Sequence, residues 1–109
     1  MIVEERIYTI YAGRLPEMLK LYEDMGLDIQ SRILGNLIGY FSTEIGELST
    51  LVHLWGYESL EDRSHRRALL AAEPAWHDYL KACTPLIQGM TNRILLPTSF
   101  SPIGGQSRG

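Results

Sequence analysis

The chain has one cysteine, Cys83, so no disulfide can close within it and no paired-cysteine zinc motif exists. A reducing compartment suits such a sequence. Basic clusters are also missing. Net charge is −3, and Arg66-Arg67 is the only adjacent basic pair. A nucleic-acid partner would need a basic stripe, so none is expected. Met1-Ile2-Val3-Glu4-Glu5-Arg6 has neither the basic-then-apolar order of a secretory signal nor the Arg-rich, acid-poor character of a transit peptide. No apolar run approaches the roughly 20 residues needed to span a bilayer. A cytoplasmic protein without a membrane span is expected. Gly104-Gly105 lacks the lysine and the strand-to-helix setting of a phosphate loop.

What is present is one domain's worth of ordinary globular sequence. The 109 residues are 45% apolar and 21% charged. A domain of this size buries only part of its surface and often gains from oligomerisation. Its centre is Leu51-Val52-His53-Leu54-Trp55-Gly56-Tyr57, which has strand chemistry throughout. Alternation puts Leu51, His53, Trp55 and Tyr57 on one face, and Val52, Leu54 and Gly56 on the other. Neither face is polar, so both must be covered. Parity alone leaves open which face meets the helices.

Around this centre the chain reads in order. A first strand covers Ile2 to Tyr11, with Glu4, Arg6 and Tyr8 on one face. Glu4 and Arg6 read as solvated positions near a strand end, or as charges paired across the sheet. Pro16 suits a first helical turn, and Leu15, Met18, Leu19, Tyr22, Met25 and Ile29 form one helical stripe. Gly26 predicts a bend, or a restart at Asp28, with the helix ending near Leu34-Gly35. Leu37 to Glu44 and Thr50 to Tyr57 pair as a hairpin around the turn Ile45–Leu48. Ser59 caps the next helix, with Asp62 three residues on, and Asp62, Arg63, Arg66 and Arg67 form a solvated charged face. Pro74 opens a short helix carrying Trp76, Tyr79, Leu80 and Cys83, and Leu86 to Leu96 is a fourth strand. Residues 1–97 form the domain. Residues 98–109 form a flexible Ser/Gly/Pro-rich tail whose first part Phe100 can anchor.

The order strand, helix, strand, strand, helix, strand is the ferredoxin-like βαββαβ arrangement of the α+β class. It has a four-stranded antiparallel sheet with helices on one face. The third strand is apolar on both faces, so the other sheet face needs a partner. Two sheets packed face to face predict a homodimer, a dimeric α+β barrel.

Specific residues carry a family resemblance. Gly35-Asn36-Leu37-Ile38-Gly39-Tyr40-Phe41-Ser42-Thr43-Glu44-Ile45-Gly46 resembles the central signature of the NIPSNAP family. Val52-His53-Leu54-Trp55-Gly56-Tyr57-Glu58-Ser59-Leu60, followed by Asp62-Arg63 and Arg66-Arg67, resembles its next block. Glu4, Arg6, Tyr8, Leu86, Ile94-Leu95 and Phe100-Ser101-Pro102 are similar to its edges, so the resemblance runs from Met1 to about Pro102. It implies the dimeric α+β barrel superfamily, whose folds include small monooxygenases, haem-degrading enzymes and stress-response barrels. The family has no established catalytic mechanism, so no catalytic residue carries over. Eukaryotic members are longer, mitochondrial and linked to vesicle roles and mitophagy. This chain resembles the single-domain bacterial type, and those roles are not transferred.

The candidate ligand-binding residues are His53, Trp55, Tyr8, Arg6, Glu4 and Tyr40. A pocket between sheet and helices is the expected place for them. His53 can exchange a proton or bind a metal, or it can be a satisfied core histidine. His65 and His77 complete no zinc spacing, so no metal and no cofactor are expected. Trp55 and Trp76 can stack on an aromatic substrate or fill core volume. Arg66 and Arg67 can clamp a carboxylate or sit in solvent. Cys83, with no neighbouring base, reads as a small buried hydrophobe. Two functions stand at this level. One is a homodimeric barrel binding a small apolar or aromatic ligand, with cofactor-independent oxygenase-like chemistry suggested by similar folds. The other is a non-catalytic dimeric interaction module. A cavity lined by His53 and a charged residue would favour the first, and a solid sheet–helix layer the second.

Overall fold

A computed structural model describes residues 1–105. Strands β1 (Ile2–Ile10), β2 (Leu37–Ser42), β3 (Thr50–Tyr57) and β4 (Ile87–Leu95) form one sheet in the order β2-β3-β1-β4. Every pairing is antiparallel. Helices α1 (Leu15–Leu21), α2 (Leu27–Leu34), α3 (Leu60–Ala71) and α4 (Pro74–Cys83) supply the second layer. This is the ferredoxin-like α+β arrangement that the element order predicts.

The register settles the orientation that parity left open. Trp55 pairs with Glu4, His53 with Arg6, and Leu51 with Tyr8. These six share one face, and Leu51, His53 and Trp55 are buried there beside the helical residues Met18, Tyr22, Ile29 and Leu70. His53 therefore belongs to the helix side. The opposite face carries Val3, Ile7, Val52, Leu54 and Phe41. Phe41 is 56% exposed, a large ring left without cover.

Two irregularities depart from the simple reading. Gly26 does not end the first helix. The chain passes from α1 to α2 through a π-helical turn, Tyr22–Gly26. The extra residue lets Tyr22 turn inward and donate a hydrogen bond to Gln30 Oε1 at 2.6 Å. Gly26 is needed because a Cβ there would stand 2.8 Å from Tyr22 Cδ1 and 3.1 Å from the Tyr79 ring. The second irregularity lies in β2. Leu37 pairs with Trp55 and Gly39 with Leu54, so Ile38 is an extra residue in the ladder. Without this bulge, Leu37 and Tyr40 would face opposite ways. With it, both face the helices, and Tyr40 lies opposite His53.

Other expectations shift slightly. β2 ends at Ser42, not Glu44, and the hairpin connection runs from Thr43 to Ser49. Ile10 N–H donates to Ser49 O and Thr43 N–H to Thr50 O, which closes it. Ser59 caps α3 as expected, accepting from Asp62 N–H at 3.1 Å. Asp62 Oδ2 accepts from Glu58 N–H in return. The α3 charges are not simply solvated. Arg66 donates to Asp62 Oδ1 and to Ile33 O at the end of α2, and Arg63 reaches into the sheet. Residues 98–105 form turns in which Phe100 is exposed, so it anchors nothing here. The rest of the tail read from the sequence lies outside the described residues.

The Gly26→Ala variant tests the close approach. Alanine gains about 1 kcal/mol of helix propensity. Overpacking against two buried rings costs about 1–3 kcal/mol. Urea unfolding should therefore give a lower midpoint than the native chain, with the slope unchanged.

Candidate functional site

Side chains from β1, β2, β3, the π turn, α2 and α4 meet around a cavity of about 240 Å³ between sheet and helices. Tyr8, Tyr22, Tyr40, Trp76 and Tyr79 wall it with aromatic surface, and His53, Gln30 and Cys83 add polar atoms. Its exposed lining residues are Leu80 and Thr84 on the α4 side and Gln88, Gly89 and Met90 of β4. None of its lining residues carries a charge.

His53 is the best-defined group in it. Its ring stacks on Tyr40 with centroids 4.4 Å apart and 17° between planes. Tyr8 meets it edge-on at 4.8 Å. Trp55, two residues along the same strand face, donates its indole N–H to His53 Nδ1 at 2.7 Å. An indole nitrogen can only donate, so Nδ1 must accept and the proton must sit on Nε2. That Nε2–H is buried and has no partner among the described residues. His53 itself is 1% exposed. Buried donors are nearly always satisfied, which sets this one apart.

Glu4 forms a second centre behind the cavity. Its carboxylate is fully buried and accepts from Arg63 Nη2 at 2.7 Å, Arg63 Nε at 3.1 Å, Arg6 Nη1 at 3.0 Å and Asn92 Nδ2 at 2.7 Å. Arg6 Nε also donates to Tyr8 Oη at 3.1 Å. The reading of Glu4 and Arg6 as solvated is thus overturned. They belong to one network, centred on the buried Glu4 carboxylate with part-buried arginines around it, that ties β1 to β4 and to α3.

A NIPSNAP family model matches residues 3–102. The chain belongs to the NIPSNAP family. It is 35% identical over 103 residues to human NipSnap homolog 2, covering 94% of this chain and 35% of the relative. It is 42% identical over 64 residues to Drosophila melanogaster NipSnap, covering 59% of this chain and 23% of the relative. The chain thus spans about a third or less of the length of these curated relatives. A crystal structure of a NIPSNAP family protein from Agrobacterium tumefaciens is 54% identical, with a TM-score of 0.92 over 94% of this chain and 97% of that one. A NIPSNAP-like domain protein from Burkholderia xenovorans is 53% identical, with a TM-score of 0.90 over 93% and 88% of the two chains. An antibiotic biosynthesis monooxygenase is 11% identical, with a TM-score of 0.62 over 90% and 99%, and shares the fold alone.

In this NIPSNAP domain the six sequence-chosen residues separate by role. Tyr8, Tyr40 and His53 line the cavity. Trp55 sets the histidine tautomer from behind, and Glu4 and Arg6 form the charged layer under Tyr8. The sequence reading missed Tyr22 and Gln30 as lining residues, and Arg63 and Asn92 as partners of Glu4. Gly26 was the available signal, since a glycine inside a helical stripe marks close approach. Cys83 lines the cavity too, and burial pushes its thiol pKa up, so it stays a neutral wall atom. His65 and His77 are exposed on α3 and α4. Among the described residues no three His, Cys, Asp or Glu side chains gather as a metal site.

The protonation states follow from the surroundings. Burial, helped by the Arg6 charge, lowers the His53 pKa to about 3. Burial alone would raise Glu4, but Arg63 and Asn92 hydrogen bonds and the charges of Arg6 and Arg63 outweigh it and hold it at about 2. Both groups destabilise the fold in acid, His53 from pH 6.5 downward and Glu4 only from about pH 4.5, where the two effects overlap. Unfolded His53 binds a proton near pH 6.5, which the folded site refuses until about 3. Stability should fall by about 2 kcal/mol between pH 6.5 and about pH 5. Glu4 should add a further loss as pH drops from 4.5 toward 2. Urea unfolding across pH checks this: His53→Gln should abolish the upper slope and leave the lower one.

Proposed function

We propose that this NIPSNAP domain is a homodimeric barrel protein that binds a small, flat, largely apolar molecule between its sheet and helices. The unpartnered His53 Nε2–H carries the reading. A donor locked in one tautomer, on a ring that lines an aromatic-walled cavity, supports a ligand bearing a hydrogen-bond acceptor. Packed to the density of protein interiors, the cavity takes roughly 180 Å³ of ligand, enough for one or two rings.

His53 acts as a hydrogen-bond donor in this reading, not as a base. Its basic nitrogen is occupied by Trp55, and protonation is strongly disfavoured. If the bound molecule is transformed, cofactor-independent oxygenase-like chemistry is the class that the shared fold supports. The absence of charge from the lining favours a second reading, a non-catalytic module for protein interaction. The single, unbridged cysteine supports a cytosolic setting. No helix among the described residues is long and apolar enough to cross a membrane.

Native mass spectrometry of freshly purified protein tests the ligand. The wild type should retain a small molecule, and His53→Ala should keep its subunit number but lose that mass. A variant that dissociates would make His53 structural.

The dimer has separate support. Val52, Leu54, Ile7 and Phe41 leave the open sheet face apolar, and the Glu5–Arg93 ion pair is its main polar feature. A second copy of the same face covers it with a two-fold contact. Light scattering should give a dimer at micromolar concentration, and Phe41→Asp should give a folded monomer.

A further inference from the structure

Accepting the cavity as a ligand site, its electrostatics specify the ligand further. Tyr8 Oη already accepts from Arg6 Nε, so its own proton is directed elsewhere. Tyr8 and His53 line the same cavity with ring centroids 4.8 Å apart. Each thus offers one donor, and the His53 donor has no acceptor among the described residues. Beside them lies a charged group of one buried carboxylate, Glu4, and two part-buried guanidiniums, Arg6 and Arg63. Its net charge is +1, and Arg67 of α3 adds to the same field at His53. No lining residue supplies a negative charge.

We propose that Tyr8 Oη–H and His53 Nε2–H form an oxyanion site, and that the cavity binds a flat phenol- or enol-type molecule as its anion. Preorganised donors backed by positive charge favour oxygen that bears negative charge. The site contains no base to create it. Glu4 is committed to four hydrogen bonds, and His53 Nδ1 is capped by Trp55. The ligand O–H therefore gives its proton to water, and the anion is what the protein holds. The remaining titratable neighbours do not compete for that charge. Burial raises the hydroxyl pKa of Tyr40 on β2, Tyr22 on the π turn and Tyr79 on α4, and also the Cys83 thiol. β4 contributes the uncharged Met90 and Asn92 on this face.

The test uses 4-nitrophenol, whose anion is yellow, and its uncharged isostere 4-nitrotoluene. Both are titrated into the full chain at several pH values. The expected result is a yellow complex at pH values where free 4-nitrophenol is mostly colourless, with affinity about tenfold or more above that of 4-nitrotoluene. Tyr8→Phe and His53→Phe should each remove about tenfold of that preference and leave 4-nitrotoluene binding unchanged. Equal affinity for the two probes overturns the oxyanion site but leaves the cavity reading standing. Failure of both to bind overturns the cavity reading and this proposal with it. Equal loss of both probes in the variants would mean that the hydroxyl and imidazole merely shape the wall, and would overturn the proposal.

Discussion

The buried carboxylate of Glu4 is the constraint on which the rest depends. It sits near the start of the central strand β1, between β3 and β4 in the sheet. Its oxygens hold Arg63 from α3, Asn92 from β4 and Arg6 from its own strand. A buried charge is tolerable only when such partners replace its water. Buried ion pairs add little net stability, but removing one partner leaves the others uncompensated at a cost of about 3–5 kcal/mol. The network therefore fixes where α3 lies on the sheet more than how stable the sheet is. It also takes the one nearby carboxylate out of acid–base chemistry and leaves a net positive charge beneath Tyr8.

Two backbone irregularities then build the cavity on that frame. The bulge at Ile38 turns Tyr40 onto the His53 ring, and the π turn at Tyr22–Gly26 brings Tyr22 within 4.7 Å of Tyr40. Each inserts one residue into a regular ladder, and each re-aims a tyrosine to the same place. Irregularities of this kind recur at functional sites because they direct a side chain that regular geometry would send elsewhere. The Trp55–His53 hydrogen bond completes the wall by choosing which imidazole nitrogen is left free.

The two sheet faces divide the labour. The helix-side face carries the polar network and the aromatic cavity. The open face is short-range apolar surface suited to a second copy, and the proposed dimer would cover Phe41 without touching His53. The curated NipSnap relatives named above are more than twice as long as this chain, so this domain matches only part of each.

The order of elements along the chain, the strand–helix alternation and β3 itself were legible in local pattern. Two-residue periodicity, proline and glycine punctuation and the Ser59 cap are short-range properties, and short-range physics specifies them. The family resemblance rested instead on residue identities in contiguous blocks, Gly35 to Gly46 and Val52 to Leu60. His53 could be singled out as an imidazole in an apolar strand, and its opposition to Arg6 follows only from register. The tautomer of His53, the burial of Glu4 by an arginine 59 residues away and the inward turn of Tyr40 were not legible. Sequence by itself determined the elements, their order and the residues able to do polar chemistry. Tertiary structure alone decided which of those residues are silenced by partners and which keep a free donor. Desolvation and the Glu4–Arg63 and Glu4–Asn92 partnerships arise between groups distant in the chain, and even the two-residue Trp55–His53 bond depends on side-chain orientations that the packing sets.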